Sequence, residues 1–470
     1  MPTARKPPAA TRKPPIAAFP SRAELYESGK RLRDKYPREA HGTWKAGRRR
    51  PNQIDLLKRS SEGRQPHLVP LRYGRMLQTP FTFFRGAALN MAADLSFTPS
   101  IGLRVQACGD CHLYNFGAFR TPERRVVFDL NDMDETLPAP WEWDVKRLAA
   151  SFVLAGRNNG FGSRDARDAA RTCVRSYREH MLKFSQMRVL DVWNTSADLN
   201  SILAAARDIE TRRRGQRRLA KARQRNVIEH DFPELVSVDG ATPTIKDNPP
   251  SIFHPTQWKG EDFAAMFAKG FADYRKSLPE NRRLLLDRYR LLDLAVKVVG
   301  VGSVGTACGV MLLMAGEKDP LFLQIKEARP SVLEAYAGKT TYANNGERIV
   351  VGCQLMQSAS DLFLGWTSGR NGKEFYIRQL RDMKIKPLVE VFTASVMLEF
   401  AELCGMTLAR AHARTGEPAT ISGYLGKSAV FDRAVAEFAV EYADQVERDH
   451  AALIKAVRAG TLEVELEEHG

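Results

Sequence analysis

Apolar and polar positions alternate over three short stretches in the first third of the chain, residues 104–107, 116–119 and 125–130. Alternation of period two beside glycine and aspartate predicts strands ending at turns. Helical spacing takes over afterwards: Val145, Leu148, Ala149 and Phe152 share one face of a helix expected to start near Trp143, and helical patterns persist to about Ala206. Upstream, residues 21–66 read as amphipathic helix with a basic loop at Arg48 to Arg50, and the aromatic-rich residues 70–94 turn helical near Gly86. The polar, proline-containing residues 236–255 read as a long surface loop, and residues 387–414 and 431–457 as long helices.

Strand-like alternation returns at Leu291. A strand, a glycine turn, a second strand over 306–314, a Gly-Glu-Lys-Asp turn and a third strand ending on Lys326 predict a β-meander. A helix from near Ser331 and two more strands, 347–357 and 374–380, complete five strands and one helix, with 375–383 as the hinge between two lobes. This predicts an α+β protein with a small five-stranded antiparallel lobe and a mostly helical large lobe. The expected division is a tail over 1–20, a helical segment over 21–104, the large lobe over 105–290, the small lobe over 291–384, and closing helices over 385–470.

With 470 residues, the chain is long enough for two or three domains or lobes. No apolar run approaches the roughly 20 residues that span a bilayer, and no apolar segment follows the basic start. Six cysteines without a repeating spacing favour reduced thiols, so a cytoplasmic protein without a membrane partner is expected. The net charge of +16 is concentrated. Residues 1–20, with RKPP twice, carry four basic residues and no acid, and read as a disordered tail. Residues 211–226 carry eight basic residues, no acid and no aromatic side chain. Nucleic-acid surfaces spread basic residues over a face with interleaved aromatics, so the run reads as a solvated helix or loop, and nucleic acid is not the expected partner.

Candidate chemistry gathers around Gly109-Asp110. His112 and Asn115 follow, then the acids Asp129, Asp132 and Asp134 beyond a short hairpin. Phosphoryl transfer asks for one carboxylate to orient or deprotonate the attacking hydroxyl, and for an amide oxygen and another carboxylate to hold magnesium. Gly300, Gly302 and Gly305 form G-x-G-x-x-G with Ser303 inside it. A dinucleotide fold needs a helix after the third glycine, whereas the next residues favour a strand, which suits a phosphate-covering loop. Lys326 would then clamp phosphates and Glu334 would position it, while Glu327, its neighbour on the strand, faces the other side. Arg85 reads first as a salt-bridge partner of Asp94, and otherwise as a phosphate contact. His412 reads as a core or supporting histidine, and Cys108 and Cys111 as thiols of the loop and not as a redox pair.

Together, FFRGAA, GDCHLYNFG, FDLNDMDE, PWEWDVKRLAAS, VVGVGSVG, LQIKEA and LFLGW resemble the bacterial domain-of-unknown-function family 2252, grouped with the protein-kinase-like superfamily. The resemblance covers nearly the whole chain after the tail. It implies a circularly permuted two-lobed kinase-like fold, because the catalytic half precedes the nucleotide-clamping half, and a likeness to aminoglycoside and choline kinase-like phosphotransferases. It implies Asp110 as catalytic base, with His112 supporting its loop. Asn115, Asp132 and Asp134 would be magnesium ligands, with Asp129 competing with Asp132, and Asp144 would brace the catalytic loop. Gly300, Gly302, Ser303, Gly305, Lys326 and Glu334 would hold ATP. The expected reaction moves the γ-phosphoryl group of ATP, with Mg2+, to a hydroxyl of a small molecule. Nucleotidyl transfer or silent ATP binding on the same fold is the alternative, followed by an NAD-dependent oxidoreductase and a basic nucleic-acid-interacting protein.

Overall fold

The computed structural model describes residues 19–466, apart from 206–208, 225–231, 238–241, 250, 256–260, 299–301, 370–371 and 381–383. Gly300, the proline-rich tail and part of the expected hinge at 375–383 therefore lie outside the described residues.

The described residues form a helical body and four antiparallel sheets, the largest of six strands and the next of four. Trp141–Asn158, Ser163–Gln186, Ala394–Ala413 and Val430–Arg458 form the centre of the body. Trp141, Phe152, Tyr177, Phe431 and Phe438 are fully buried between them, and Trp141 stacks on Tyr177 with ring centroids 5.7 Å apart. Gly405 lets Ala394–Ala413 close on Ser163–Gln186: a Cβ there would lie 2.2 Å from the Cys173 carbonyl oxygen. The N-terminal helix Arg22–Lys35 begins in a capping box between Ser21 and Glu24 and packs on Pro418–Leu425. Both ends of the described chain thus close one core. Among the described residues, no helix is long and apolar enough to cross a membrane.

The strands of the first third form where alternation places them, Arg104–Ala107, Phe116–Arg120 and Val126–Leu130. Phe116 faces Leu130, and Lys384–Ile385 adds to the outer edge of Phe116–Arg120. The largest sheet has six strands and not the expected five. In order across the sheet these are Gly365–Ser368, Glu374–Gln379, Pro320–Ala328, Cys308–Met314, Arg290–Lys297 and Ile252–Phe253. The sixth strand comes from the stretch expected to be a surface loop: Ile252 and Phe253 pair with Lys297 and Val296. Leu235, Val236, Ile245 and Ile252 bury themselves on Ala295, Val310, Leu312, Phe322 and Leu380, so a polar-looking segment covers the apolar part of one face of the sheet.

Residues 347–357, expected as a strand, lie in the helix Asn345–Met356. The run Ile349-Val350-Val351 favours strand locally, but Asn344 caps the helix by accepting from Gly346 N and Glu347 N. Ile349, Cys353 and Met356 then fall on one buried face at helical spacing, so tertiary burial overrides β propensity. This helix fills the gap between the sheet and the acidic turn at 131–135.

Candidate functional site

The site is built on two turns that lie close together in the first third of the chain, joined by Lys326 and Tyr376 from strands far along the sequence. The first is the Gly-Asp turn after Arg104–Ala107. Gly109 has φ +85°, and a Cβ there would stand 2.3 Å from the Glu135 carbonyl oxygen. Asp144 accepts from Cys108 N at 2.6 Å and Gly109 N at 3.0 Å, and itself meets His412 Nε2 at 3.1 Å. Asp144 is thus the brace that the sequence reading expects, and His412 stands behind it in the core. Gly109→Ala is expected to lose on the order of 3 kcal/mol of stability from strain and backbone clash. Chemical denaturation checks this, and an unchanged midpoint would show that the turn relaxes freely.

Asp110 follows the turn and reaches Arg147, whose Nε donates to Oδ1 at 2.7 Å. Arg147 is fixed by the Phe84 carbonyl at 3.0 Å and by the Phe84 ring at 4.3 Å. Burial raises the Asp110 carboxyl to about 7 against the pull of Arg147. His112 Nε2 lies 3.8 Å from Asp110 Oδ2. Burial, with Arg85 and Arg147 nearby, drives the imidazole well below its ordinary range, so it stays neutral. Asn115 donates through Nδ2 to the Asp110 carbonyl at 2.6 Å, which commits its nitrogen and leaves its oxygen for a ligand.

The second turn carries the acids. Asp134 accepts from Lys326 Nζ at 2.6 Å, from Tyr376 Oη at 2.6 Å and from Ser303 Oγ at 3.5 Å. Burial alone would raise it, but Lys326 and Tyr376 outweigh burial and hold the carboxyl at about 2. Asp132 lies farther from Lys326, at 3.8 Å, with its side chain 38 % exposed. Burial and the charge of Asp134 push its pKa upward. Across the sheet, Lys326 stands opposite Tyr376 in the ladder, so both aim at the acids from neighbouring strands. Arg348 donates to the carbonyls of Thr136, Asp134 and Arg329, clamping the acidic turn to the end of the Lys326 strand.

The glycine turn lies over this pair. Gly305, with φ +83°, precedes a strand, Cys308–Met314, and no helix begins there, in contrast to what dinucleotide binding would need. Gln65 N donates to Gly305 O at 2.7 Å and Arg64 Nη1 to Val304 O at 2.6 Å, so the turn is tethered to the N-terminal helical segment.

Asp110, His112, Asn115, Asp132, Asp134, Gly302 and Ser303 all line one cavity of about 440 Å³. Gly305 and Lys326 do not line it, although Lys326 reaches it through Asp134. Two further expected members, Asp129 and Glu334, are engaged elsewhere. Asp129 is fully buried, accepting from Arg410 Nη2 at 2.5 Å and from Ser358 N and Oγ at 2.7 Å each. Its oxygens are committed to these partners, so it does not compete for a ligand in the cavity. Glu334, on the short helix Glu334–Ala337, makes no ion pair with Lys326; the acids at 132 and 134 supply that lysine's countercharge, and Glu334 Oε1 is buried without a partner. Glu327 pairs with Lys373 at 3.1 Å, away from Lys326. Arg85 is not the partner of Asp94, which Arg50 holds at 2.8 Å. Instead Arg85 lies over the Tyr114 ring at 4.5 Å and lines the cavity. Arg59, Arg64, Arg72 and Arg329 line it as well. Sequence reasoning missed these four, because they come from separate segments and share no spacing.

All six cysteines are free and buried, and burial pushes the Cys111 thiol well above its ordinary range. Among the described residues no group of three or more histidines, cysteines and acids is preassembled as a metal cage. Asp132 and Asn115 line the cavity beside Asp134, whose oxygens accept from Lys326 and Tyr376, an oxygen-rich, incomplete set of the kind that suits a magnesium ion shared with a phosphate. No curated protein and no solved structure matches the chain. A family model described as an uncharacterized protein conserved in bacteria, DUF2252, matches residues 64–456, and the chain belongs to that family.

Proposed function

We propose that the protein is a cytoplasmic ATP- and Mg2+-dependent phosphotransferase that moves the γ-phosphoryl group to a hydroxyl of a small acceptor, on a circularly permuted kinase-like fold. One observation carries this reading: a general-base candidate and an acidic pair line one cavity beside a glycine turn, and a lysine from residue 326 is bonded to one acid of that pair. Asp110, backed by Arg147, orients the acceptor hydroxyl and takes its proton. Ser303 and the backbone of Gly302 and Gly305 cover the phosphates, and Lys326 holds them. Asp132, Asn115 and Asp134 would hold magnesium, which when bound neutralises charge on the phosphate oxygens.

The alternative on the same cavity is nucleotide binding without transfer, and the covered sheet face bears on both readings. In a kinase-like small lobe the base stacks on the face that carries the clamping lysine. Here Leu235, Val236, Ile245 and Ile252 pack on that face. Entry of a base beside Val310 and Phe322 requires that cover to move.

Thermal unfolding with ATP and magnesium, ATP and EDTA, or NAD tests both readings. Ligand at 100 times its dissociation constant should stabilise the native state by about 2.7 kcal/mol. The expected result is a magnesium-dependent shift with ATP that Lys326→Met and Asp132→Asn abolish. A shift with NAD alone overturns the assignment, whereas a shift with ATP but no transfer to any hydroxyl compound supports the silent reading.

A further inference from the structure

The cavity holds two kinds of charge, and they are treated differently. Three of its carboxylates have cations that are not themselves cavity residues: Asp110 has Arg147, Asp134 has Lys326, and Glu327 has Lys373. Its arginines have no such partners. Arg59, Arg64, Arg72, Arg85 and Arg329 make no ion pair with any carboxylate among the described residues. They are held by neutral acceptors: Arg72 by Ser60 Oγ, Ser61 Oγ and the Gly86 carbonyl, Arg64 by the Ser60 and Val304 carbonyls, Arg329 by the Ser60 and Glu62 carbonyls, and Arg59 by Tyr336 Oη. Among the described residues Arg85 donates no hydrogen bond and rests only against the Tyr114 ring. The Nε atoms of Arg72 and Arg85 are buried without a partner, and Arg72 as a whole is 1 % exposed.

Burying guanidinium groups without countercharge is costly, and burial together with Arg72 and Arg329 drives the Arg64 pKa down. Glu135 lies near Arg64 but accepts from Val332 N at 2.7 Å and does not reach ion-pair distance. A ligand is the natural source of the missing charge. Several planar forks converging on one volume suit the tetrahedral oxygens of a phosphate better than a single carboxylate.

The position of Arg85 says which substrate bears that charge. Its guanidinium rests on the ring of Tyr114, in the loop that follows Asp110, and its chain neighbour Phe84 is joined to Asp110, the acceptor-side carboxylate, through Arg147, whereas Asp134 is held by Lys326. We infer that the acceptor is itself a phosphate-bearing small hydroxy compound, whose phosphate is gripped by Arg85, Arg59 and the neighbouring arginines while its hydroxyl faces Asp110. This rests on the phosphotransfer reading for the word acceptor, but the anion site stands on the arginines alone.

Calorimetric titration of the full chain tests the inference, using glycerol 3-phosphate, malonate and glycerol as probes, with and without a saturating non-hydrolysable ATP analogue and magnesium. Glycerol 3-phosphate is expected to bind the nucleotide-loaded protein at least about tenfold more tightly than either other probe. Arg85→Gln should weaken it about tenfold, with nucleotide affinity changed less than about twofold, and Arg85→Lys should lose less. Unliganded melting checks that the variants fold. Should Arg85→Gln not fold, the exposed Arg59→Gln carries the same comparison. Competition between probe and nucleotide, with Arg85→Gln weakening both, would assign the arginines to the nucleotide and overturn the inference. So would malonate binding as tightly as the phosphate, or a phosphate affinity no better than that of glycerol. Arginine-dependent phosphate binding without any nucleotide binding would leave the anion site standing and remove the phosphotransfer reading instead.

Discussion

Asp110→Asn is expected to lower kcat by about 100- to 10,000-fold while nucleotide affinity stays within about twofold. The asparagine keeps an oxygen for Arg147 and a similar shape, so the loop is retained and only the proton acceptor is lost. The pH dependence makes the test specific. In the proposed transfer the carboxylate is the working form, and burial raises its pKa to about 7. The wild-type kcat/KM should therefore rise as pH increases through about 7 and level off above it, an acid limb that Asp110→Asn lacks. Arg147 pulls that pKa down, so Arg147→Gln should move the limb to higher pH. His112 adds no basic limb, because its imidazole is already neutral across this range. Full activity in Asp110→Asn, or a limb that persists in it, removes Asp110 from the chemistry.

A second large effect separates two aspartates that lie three residues apart. Asp129→Ala is expected to cost about 3–5 kcal/mol of stability, because it strands Arg410, itself only 4 % exposed, without its carboxylate. Arg410 would keep only the Met356 carbonyl at 2.8 Å among its present acceptors. Asp132→Ala should change stability by less than about 1 kcal/mol, since its carboxylate is partly exposed, makes a distant pair with Lys326 and accepts one long bond from Asp134 N at 3.3 Å. Denaturant titration of both variants, with magnesium-dependent ATP binding measured alongside, decides the matter. If Asp129→Ala folds as stably as the wild type and loses magnesium dependence, the metal role belongs to Asp129 after all.

What the sequence makes legible is local. Alternation and glycine locate the strands around Asp110 and the turn at Gly305, because those signals reside in adjacent residues. The brace at Asp144 is legible for the same reason, as it opens a strongly periodic helix. The helix Asn345–Met356 is misread because three consecutive β-branched residues outweigh a capping asparagine in any short window. Asp129 and Asp132 look alike in sequence because only Arg410, 281 positions away, distinguishes them. Glu334 fails as the partner of Lys326 because the acids that satisfy the lysine come from another segment. The arginines of the cavity wall belong to the same class of invisible feature: charge is written in the sequence, but its lack of a partner is a property of the folded chain.

The bond between Asp129 and Arg410 also sets a schedule for synthesis. At roughly 5–20 residues per second, the 281 positions between them take about 15–55 seconds to translate. Throughout that interval the strand Val126–Leu130 exists without the arginine that neutralises its buried acid, and Lys326 reaches Asp134 only after most of the wait. The half of the chain that bears the candidate base therefore leaves the ribosome long before it can close. A nascent chain of this protein has to be shielded, or to stay open, until almost its last helices are made.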